Sequence, residues 1–183
     1  MNVDNRKDIV LLLLYASGYS KGVNEPVEGV TRLQKLLFLL DKEYEISKLV
    51  PNYFNFVAFD YGPFDEVVFS DIEALVNYGL VERIKERKVT EEDLAEKRFL
   101  KDYFYEGEEE ESDESQEQTG VDLFRLTSKG EEISKQLFES LKAETKEAFC
   151  KLKKRFNQRS LTSLIKYVYS HYPDYAKYSK LEY

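Results

Sequence analysis

The sequence predicts a mainly α fold: a winged helix-turn-helix-like domain with an enlarged wing insertion and extra C-terminal helices. Three observations predict it. Apolar residues recur at helical spacing in three successive segments of the N-terminal half. Two short segments that mix apolar and charged residues, near 80–87 and 121–126, then predict strands. Three helices followed by a strand, a loop and a returning strand are typical of a winged helix.

The first two helices are predicted from apolar periodicity. RKDIVLLLLYASG, at about residues 6–17, is apolar almost all round and should lie in the core. The second helix begins within VTRLQKLLFLLDKEYE, where Thr31 and Gln34 have the spacing of a capping box. Its apolar residues repeat at helical intervals: Leu33, Leu36, Leu37, Leu40 and Tyr44. The aromatic segment NYFNFVAF that follows predicts a short extended stretch.

The third helix is predicted within YGPFDEVVFSDIEALVNYGLV, residues 61–81. Gly62-Pro63 marks its start, because proline fits the first helical position, and Gly79 marks its end. Residues at helical spacing give it one apolar face: Phe64, Val68, Ile72, Leu75 and Val76.

Two strands and a fourth helix complete the predicted domain. LVERIKER predicts one strand and VDLFRLTSKG the next, followed by a cap at Ser128 and Glu131. A helix at about 129–141 should turn Ile133, Leu137 and Leu141 inward. We therefore assign a winged-helix-like domain to residues 1–141. Its insertion, 88–120, is predicted to hold a helix at about 91–105 and a mobile acidic tract at 106–119.

The C-terminal segment, 142–183, is predicted to be basic first and amphipathic afterwards. Residues 142–166 hold eight Lys and Arg against Glu144 and Glu147. Ser160 should cap a helix with an apolar stripe formed by Leu161, Leu164, Ile165, Val168 and Tyr172. For this stripe a core helix is favoured over a homodimer seam, and the alternative stays open.

The net charge of −8 comes from one tract. Residues 106–117, EGEEEESDESQE, hold eight carboxylates and no base. Without them the 35 acidic residues fall to 27, which equals the 27 Lys plus Arg. The rest of the chain is therefore neutral, and the acidic tract is interpreted as solubilising.

Composition gives little material for catalysis or export. His171 and Cys150 are the only histidine and cysteine, and there is no glycine-rich phosphate loop. We therefore expect no enzyme activity, no catalytic residue, no cofactor and no metal. The longest apolar run, 9–16, is too short to span a bilayer, and residues 1–8 lack the layout of a signal peptide. The expected location is cytoplasmic, without membrane attachment.

Three segments resemble the Panacea-domain family, known for prophage-associated antitoxins and a proteolytic adaptor. They are RLQKLLFLLDKEY (32–44), YGPFDEVVFSDIEALVNYGLVERI (61–84) and LFRLTSKGEEI (123–133). The most specific elements are Leu33-Gln34-Lys35-Leu36 and Tyr61-Gly62-Pro63-Phe64. The resemblance implies a non-enzymatic domain that binds a partner protein, such as a toxin or a subunit of a complex.

The third helix has the wrong charge for DNA. Between Leu49 and Glu82 there is no Lys or Arg, whereas there are six acidic residues. Phosphate contacts need cations, so this helix should face a protein instead. The predicted partner-binding residues lie on this helix and on the aromatic wing insertion: Asp65, Glu66, Asp71, Glu73, Phe99, Tyr103 and Phe104.

The alternative function is that of a DNA-binding transcriptional regulator or a nucleic-acid-associated subunit of a defence complex. It would use the basic C-terminal segment, with candidate residues Lys151, Lys153, Lys154, Arg155 and Arg159. A solvated helix face is favoured over a nucleic-acid site for these residues, because runs of charge commonly serve solvation.

Overall fold

The computed structural model describes residues 2–49, 54–86 and 121–179 of the chain, and this part is mainly helical. Its helices are α1 (Arg6–Tyr15), α2 (Val30–Tyr44), α3 (Glu66–Asn77), α4 (Ser128–Ser140), α5 (Ala143–Phe156) and α6 (Leu161–His171). Its strands are β1 (Val27–Glu28), β2 (Val57–Phe59), β3 (Gly62–Phe64), β4 (Val81–Glu86) and β5 (Val121–Leu126). Short 3₁₀ turns occupy Ile46–Leu49 and Pro173–Ala176. The predicted helix at about 91–105 and the acidic tract at 106–119 lie outside the described residues.

The core is built around α1 and α2. Every residue of α1 from Ile9 to Leu14 is at most 2% exposed, which fits a segment that is apolar on all sides. α1 packs against α3, α4 and α5, while α2 packs against α5, α6 and β3. No helix in the described ranges is both long and apolar enough to cross a membrane.

Two small antiparallel sheets accompany the helices. In the first, β5 lies between β1 and β4, with Val81 opposite Leu126 and Val27 opposite Phe124. In the second, β2 and β3 form a hairpin between α2 and α3. α3 therefore enters the fold directly after β3, which packs on α2.

One predicted helix start and two predicted capping contacts are wrong. Thr31 and Gln34 do not form a capping box, because α2 begins after Gly29 and the Gln34 side chain binds the Asp65 backbone instead. Gly62-Pro63 lies in β3, and α3 begins only after Asp65. α4 is capped by Thr127, whose hydroxyl accepts from the Gly130 N–H, and not by Ser128.

The C-terminal helices complete the core. Ser160 caps α6 as predicted, and its hydroxyl accepts from the Ser163 N–H at 3.2 Å. Leu164, Ile165 and Val168 are at most 2% exposed. The apolar stripe of α6 thus belongs to the interior of this chain, as the sequence favoured.

Candidate functional site

Asp65 fixes the start of α3 and is only 3% exposed. Its Oδ1 accepts from the Val67 N–H at 2.9 Å and its Oδ2 accepts from the Asn55 N–H at 2.7 Å. Its own N–H donates to Gln34 Oε1 at 2.8 Å. The prediction that Asp65 contacts a partner is therefore wrong, because these bonds keep the carboxylate inside the fold.

Asp71 also points inward and is 3% exposed. Its carboxylate lies 3.2 Å from Arg6 and 3.3 Å from Lys7, both in the first turn of α1. A carboxylate buried between two cations ties α3 to α1 and cannot meet a partner directly. The prediction that Asp71 contacts a partner is therefore wrong as well.

Glu66 and Glu73 lie on the exposed side of α3. Glu73 forms an ion pair with Arg83 of β4, and the Arg83 guanidinium lies 5.5 Å from the centre of the Phe124 ring. Two large apolar side chains are also exposed here, Val67 at 42% and Tyr78 at 64%. We call this surface the α3 face; it consists of Glu66, Val67, Ser70, Glu73, Asn77 and Tyr78.

Phe99, Tyr103 and Phe104, the predicted aromatic contacts of the insertion, lie outside the described residues. Their role stays a prediction.

Lys153, one of the predicted nucleic-acid contacts, is completely buried. Its Nζ donates to the Leu14 carbonyl near the end of α1, at 2.6 Å. Burial lowers the pKa of Lys153 to about 7, although Glu25 and Cys150 act in the opposite direction. An amine enclosed between α5 and α1 cannot reach a phosphate, so this prediction is wrong.

The other four basic candidates are exposed, and three of them are engaged by the protein itself. Lys151 lies 2.8 Å from Glu147, and Arg155 lies 3.5 Å from Glu43. The Arg159 Nε–H donates to the Arg155 carbonyl at 3.1 Å. Lys154 is exposed on the same helix. The positive surface of α5 is therefore smaller than its sequence indicates.

A buried polar contact that was not predicted from the sequence joins α2 to the start of α3. Lys35 is 2% exposed, and its Nζ donates to the Pro63 carbonyl at 3.0 Å, beside the bond from Asp65 to Gln34. Gly62 is needed here, since its φ is +95° and an added Cβ would lie 3.0 Å from the Tyr169 ring. Gln34 and Lys35 lie between the core residues Leu33 and Leu36. Polar residues at such a position in an apolar helix could have indicated a buried polar contact.

A small cavity adjoins this contact, lined by Thr31, Lys35, Phe59, Tyr61 and Phe69 among others. Its volume of about 10 Å³ is roughly the space of one water molecule. A cavity of this size has no room for a larger ligand. We therefore interpret the bonds of Lys35 and Gln34 to residues 63 and 65 as positioning α3. Among the described residues, no three His, Cys, Asp or Glu side chains are grouped as metal ligands would be.

Comparison of the chain with protein-family models, with curated proteins and with solved structures gives no match.

Proposed function

We propose that this chain is a non-catalytic protein-interaction module on a winged-helix scaffold, of the antitoxin or adaptor kind. It binds a partner protein through the α3 face. The partner is neutralised by this contact or delivered to another complex, in line with what the sequence resemblance implies.

The order of the elements supports a winged-helix scaffold. α1, β1, α2, α3, β4 and β5 follow one another, and β5 lies between β1 and β4 in the sheet. The β4–β5 hairpin would be the wing, with residues 87–120 joining its two strands. The β2–β3 hairpin between α2 and α3 is an addition to that plan.

The two most specific segments of the resemblance touch each other. The bonds from Lys35 to the Pro63 carbonyl and from the Asp65 N–H to Gln34 join the Leu33–Leu36 segment to the Tyr61–Phe64 segment and its successor. A shared role in holding α3 explains why both segments occur together. The contact between the two segments is a physical reason to use the resemblance as a guide to function.

The observation that carries the proposal is the composition of the α3 face. In a winged helix the third helix enters the major groove, where its contacts depend on Lys and Arg. The α3 face presents the carboxylates of Glu66 and Glu73 beside exposed Val67 and Tyr78, and α3 contains no Lys or Arg. Exposed apolar and tyrosine side chains favour a protein partner, while the Glu66 carboxylate repels phosphates and Glu73 is already paired with Arg83.

The test is co-purification with the protein encoded by the neighbouring gene. We expect a complex that survives size-exclusion chromatography and is lost in Glu66→Lys and Val67→Asp variants. The matched control is Glu132→Lys, which reverses an exposed carboxylate of α4 that is not part of the α3 face. An intact complex in all three variants would contradict the role of the α3 face.

A second candidate is nucleic-acid binding, favoured by the exposure of Lys151, Lys154, Arg155 and Arg159 at the end of α5 and beyond it. It predicts salt-dependent binding to duplex DNA that is weakened by Lys154→Glu and Arg159→Glu. Binding that these changes leave untouched would retire this candidate.

A further inference from the structure

Lys153 and Asn157 are two buried polar side chains on α5, four residues apart. Lys153 is completely buried and Asn157 is 6% exposed. Asn157 directly follows the last residue of α5 and keeps a helical backbone, with φ of −64° and ψ of −31°. Side chains four residues apart on a helix are neighbours on its surface. The lysine amine and the asparagine amide therefore lie on the same face of α5.

Both side chains reach the end of α1. The Lys153 Nζ donates to the Leu14 carbonyl at 2.6 Å. The Asn157 Nδ2 donates to Glu25 Oε1 at 3.0 Å, and the Glu25 carboxylate lies against Gly18, where an added Cβ would come within 2.5 Å of it. Leu14 and Gly18 are themselves only four residues apart. The amine, the amide and the carboxylate are thus enclosed together between α1 and α5.

The Lys153 amine is a nucleophile at mildly alkaline pH. Burial lowers its pKa to about 7, against the opposing effects of Glu25 and Cys150, which are the charged and titratable groups that act on it. Above this pH the amine is mostly uncharged, so its lone pair is available to attack a carbonyl carbon.

The amide of Asn157 is held through its nitrogen alone. Its Nδ2 donates to Glu25 Oε1 at 3.0 Å and to the Pro26 carbonyl at 2.9 Å. Its Oδ1 is buried, and among the described residues no donor bonds to it. A buried polar atom without a hydrogen bond is uncommon in a folded protein. The amide is therefore fixed in place, while no hydrogen bond on its oxygen has to break when its carbon is attacked.

Glu25 supplies a fixed negative charge beside this amide. Burial alone would raise its pKa, but hydrogen bonds from Gln158, Asn157 and Ser20 outweigh burial and lower the pKa to about 2. The carboxylate is therefore ionised at neutral pH. It lies at hydrogen-bond distance from the Asn157 nitrogen and interacts electrostatically with the Lys153 amine. A fixed anion stabilises positive charge that develops on either nitrogen during a reaction.

We propose that Lys153 and Asn157 form an isopeptide bond within the folded chain, with Glu25 as the catalytic residue. The lone pair of Lys153 Nζ attacks Asn157 Cγ, and the attacking nitrogen becomes positively charged. One proton then passes from Nζ to Nδ2, and the Cγ–Nδ2 bond breaks. Ammonia leaves, the carbonyl forms again, and an amide joins the two side chains. No oxidant or cofactor is needed, and the step does not depend on the proposed function.

Bond formation should be slow, because no donor stabilises the negative charge that develops on Asn157 Oδ1. We therefore expect freshly purified protein to carry the free amine and to convert over days. The bond replaces a buried titratable amine by a neutral amide. The rise of stability with pH that the free amine causes should consequently disappear in the converted protein.

The first test is the intact mass of the folded protein, followed by mass spectrometry over several days at pH 8. We expect a form lighter by one ammonia molecule to become the main species. Fragmentation should map the loss to a link between Lys153 and Asn157, and trypsin should no longer cleave after Lys153. A full mass throughout would overturn the proposal. Loss of ammonia at an equal rate in urea-unfolded protein would overturn it as well.

The second test separates the isopeptide bond from a succinimide, which asparagine forms with its own backbone by losing the same ammonia. Lys153→Met removes the nucleophile and should abolish the loss, whereas the exposed control Lys154→Met should retain it. An undiminished loss in Lys153→Met would overturn the proposal. The mapped link in the wild-type chain decides the question even if Lys153→Met folds poorly.

The third test concerns Glu25. Glu25→Gln keeps the shape of the side chain but removes its charge, and should slow bond formation about a hundredfold. Glu132→Gln, which neutralises an exposed carboxylate of α4, should leave the rate unchanged. Circular dichroism checks that both variants are folded. An equal rate in the wild-type protein and in Glu25→Gln would overturn the catalytic role of Glu25.

Discussion

α3 and α5 carry opposite charges but divide them in the same way. In α3, Asp71 is buried against Arg6 and Lys7 while Glu66 and Glu73 face outward. In α5, Lys153 is buried against the Leu14 carbonyl while Lys151 and Lys154 face outward. In each helix, therefore, one charged residue holds the fold and its neighbours are left for solvent or for a partner. The sign of a charged segment alone does not tell which residues are available for binding.

The largest effect is expected for Asp71→Asn. The change leaves Arg6 and Lys7 without their buried anion, so the free energy of unfolding should fall by about 3 kcal/mol. Glu73→Gln, which removes an exposed ion pair with Arg83, should cost about 0.5 kcal/mol. Urea unfolding followed by circular dichroism measures both. Equal losses would break the distinction between the inward and outward carboxylates of α3.

Lys153 should make stability depend on pH. Its pKa is lowered from 10.5 to about 7 in the folded state, so between these values the unfolded chain binds more protons. Stability therefore rises with pH, by about 2 kcal/mol from pH 7 to pH 9. Lys153→Met should abolish this rise, whereas the exposed control Lys154→Met should retain it. Chemical denaturation at several pH values measures the free energy of unfolding. The same pH dependence in both variants would contradict the burial of the Lys153 amine.

Glu25 should make the stability of the fold depend on pH in the acidic range. Its pKa falls from 4.5 to about 2 on folding, so its contribution is present above pH 4.5 and disappears as the pH falls towards 2. Glu25→Gln should lower stability at pH 7 by about 1–2 kcal/mol and flatten the profile between pH 4.5 and 2. Glu132→Gln, an exposed control on α4, should leave both unchanged. An unaltered acid profile in Glu25→Gln would contradict the hydrogen bonds that the buried Glu25 carboxylate accepts from Ser20, Asn157 and Gln158.

The smallest effects are expected for the outward charges. Glu66→Lys in α3 and Lys154→Glu in α5 should each change the free energy of unfolding by no more than about 0.5 kcal/mol. Thermal unfolding of the purified variants measures this. A larger loss in either would mean that the residue supports the fold, and binding data from that variant could not be assigned to a surface.

Much of the helical core could be predicted from the sequence. Apolar spacing placed the inward residues of α2 and α6 correctly, because a stripe at helical intervals must be buried wherever the helix lies. Helix starts were harder, since Gly62-Pro63 suits a strand edge as well as a first helical turn. Whether Gly62-Pro63 joins a strand or a helix depends on pairing with β2 and packing on α2. These contacts form only in the folded chain.

The inward charges could also have been found. Asp71 lies three residues after Val68 and four before Leu75, so helical spacing puts it on the apolar face. Lys153 lies four residues after Phe149 and three before Phe156, which gives the same result for α5. The contacts of Asn24 and Glu25, between α1 and β1, could not be predicted from the sequence, because both residues meet partners more than 100 residues away.

The most direct test of the protein-interaction role is a p-benzoyl-phenylalanine crosslink at Val67, on the α3 face, formed in living cells and mapped by mass spectrometry. We predict a single polypeptide adduct that disappears with Glu66→Lys and persists with Glu132→Lys. Crosslinking of this position to DNA would contradict the account.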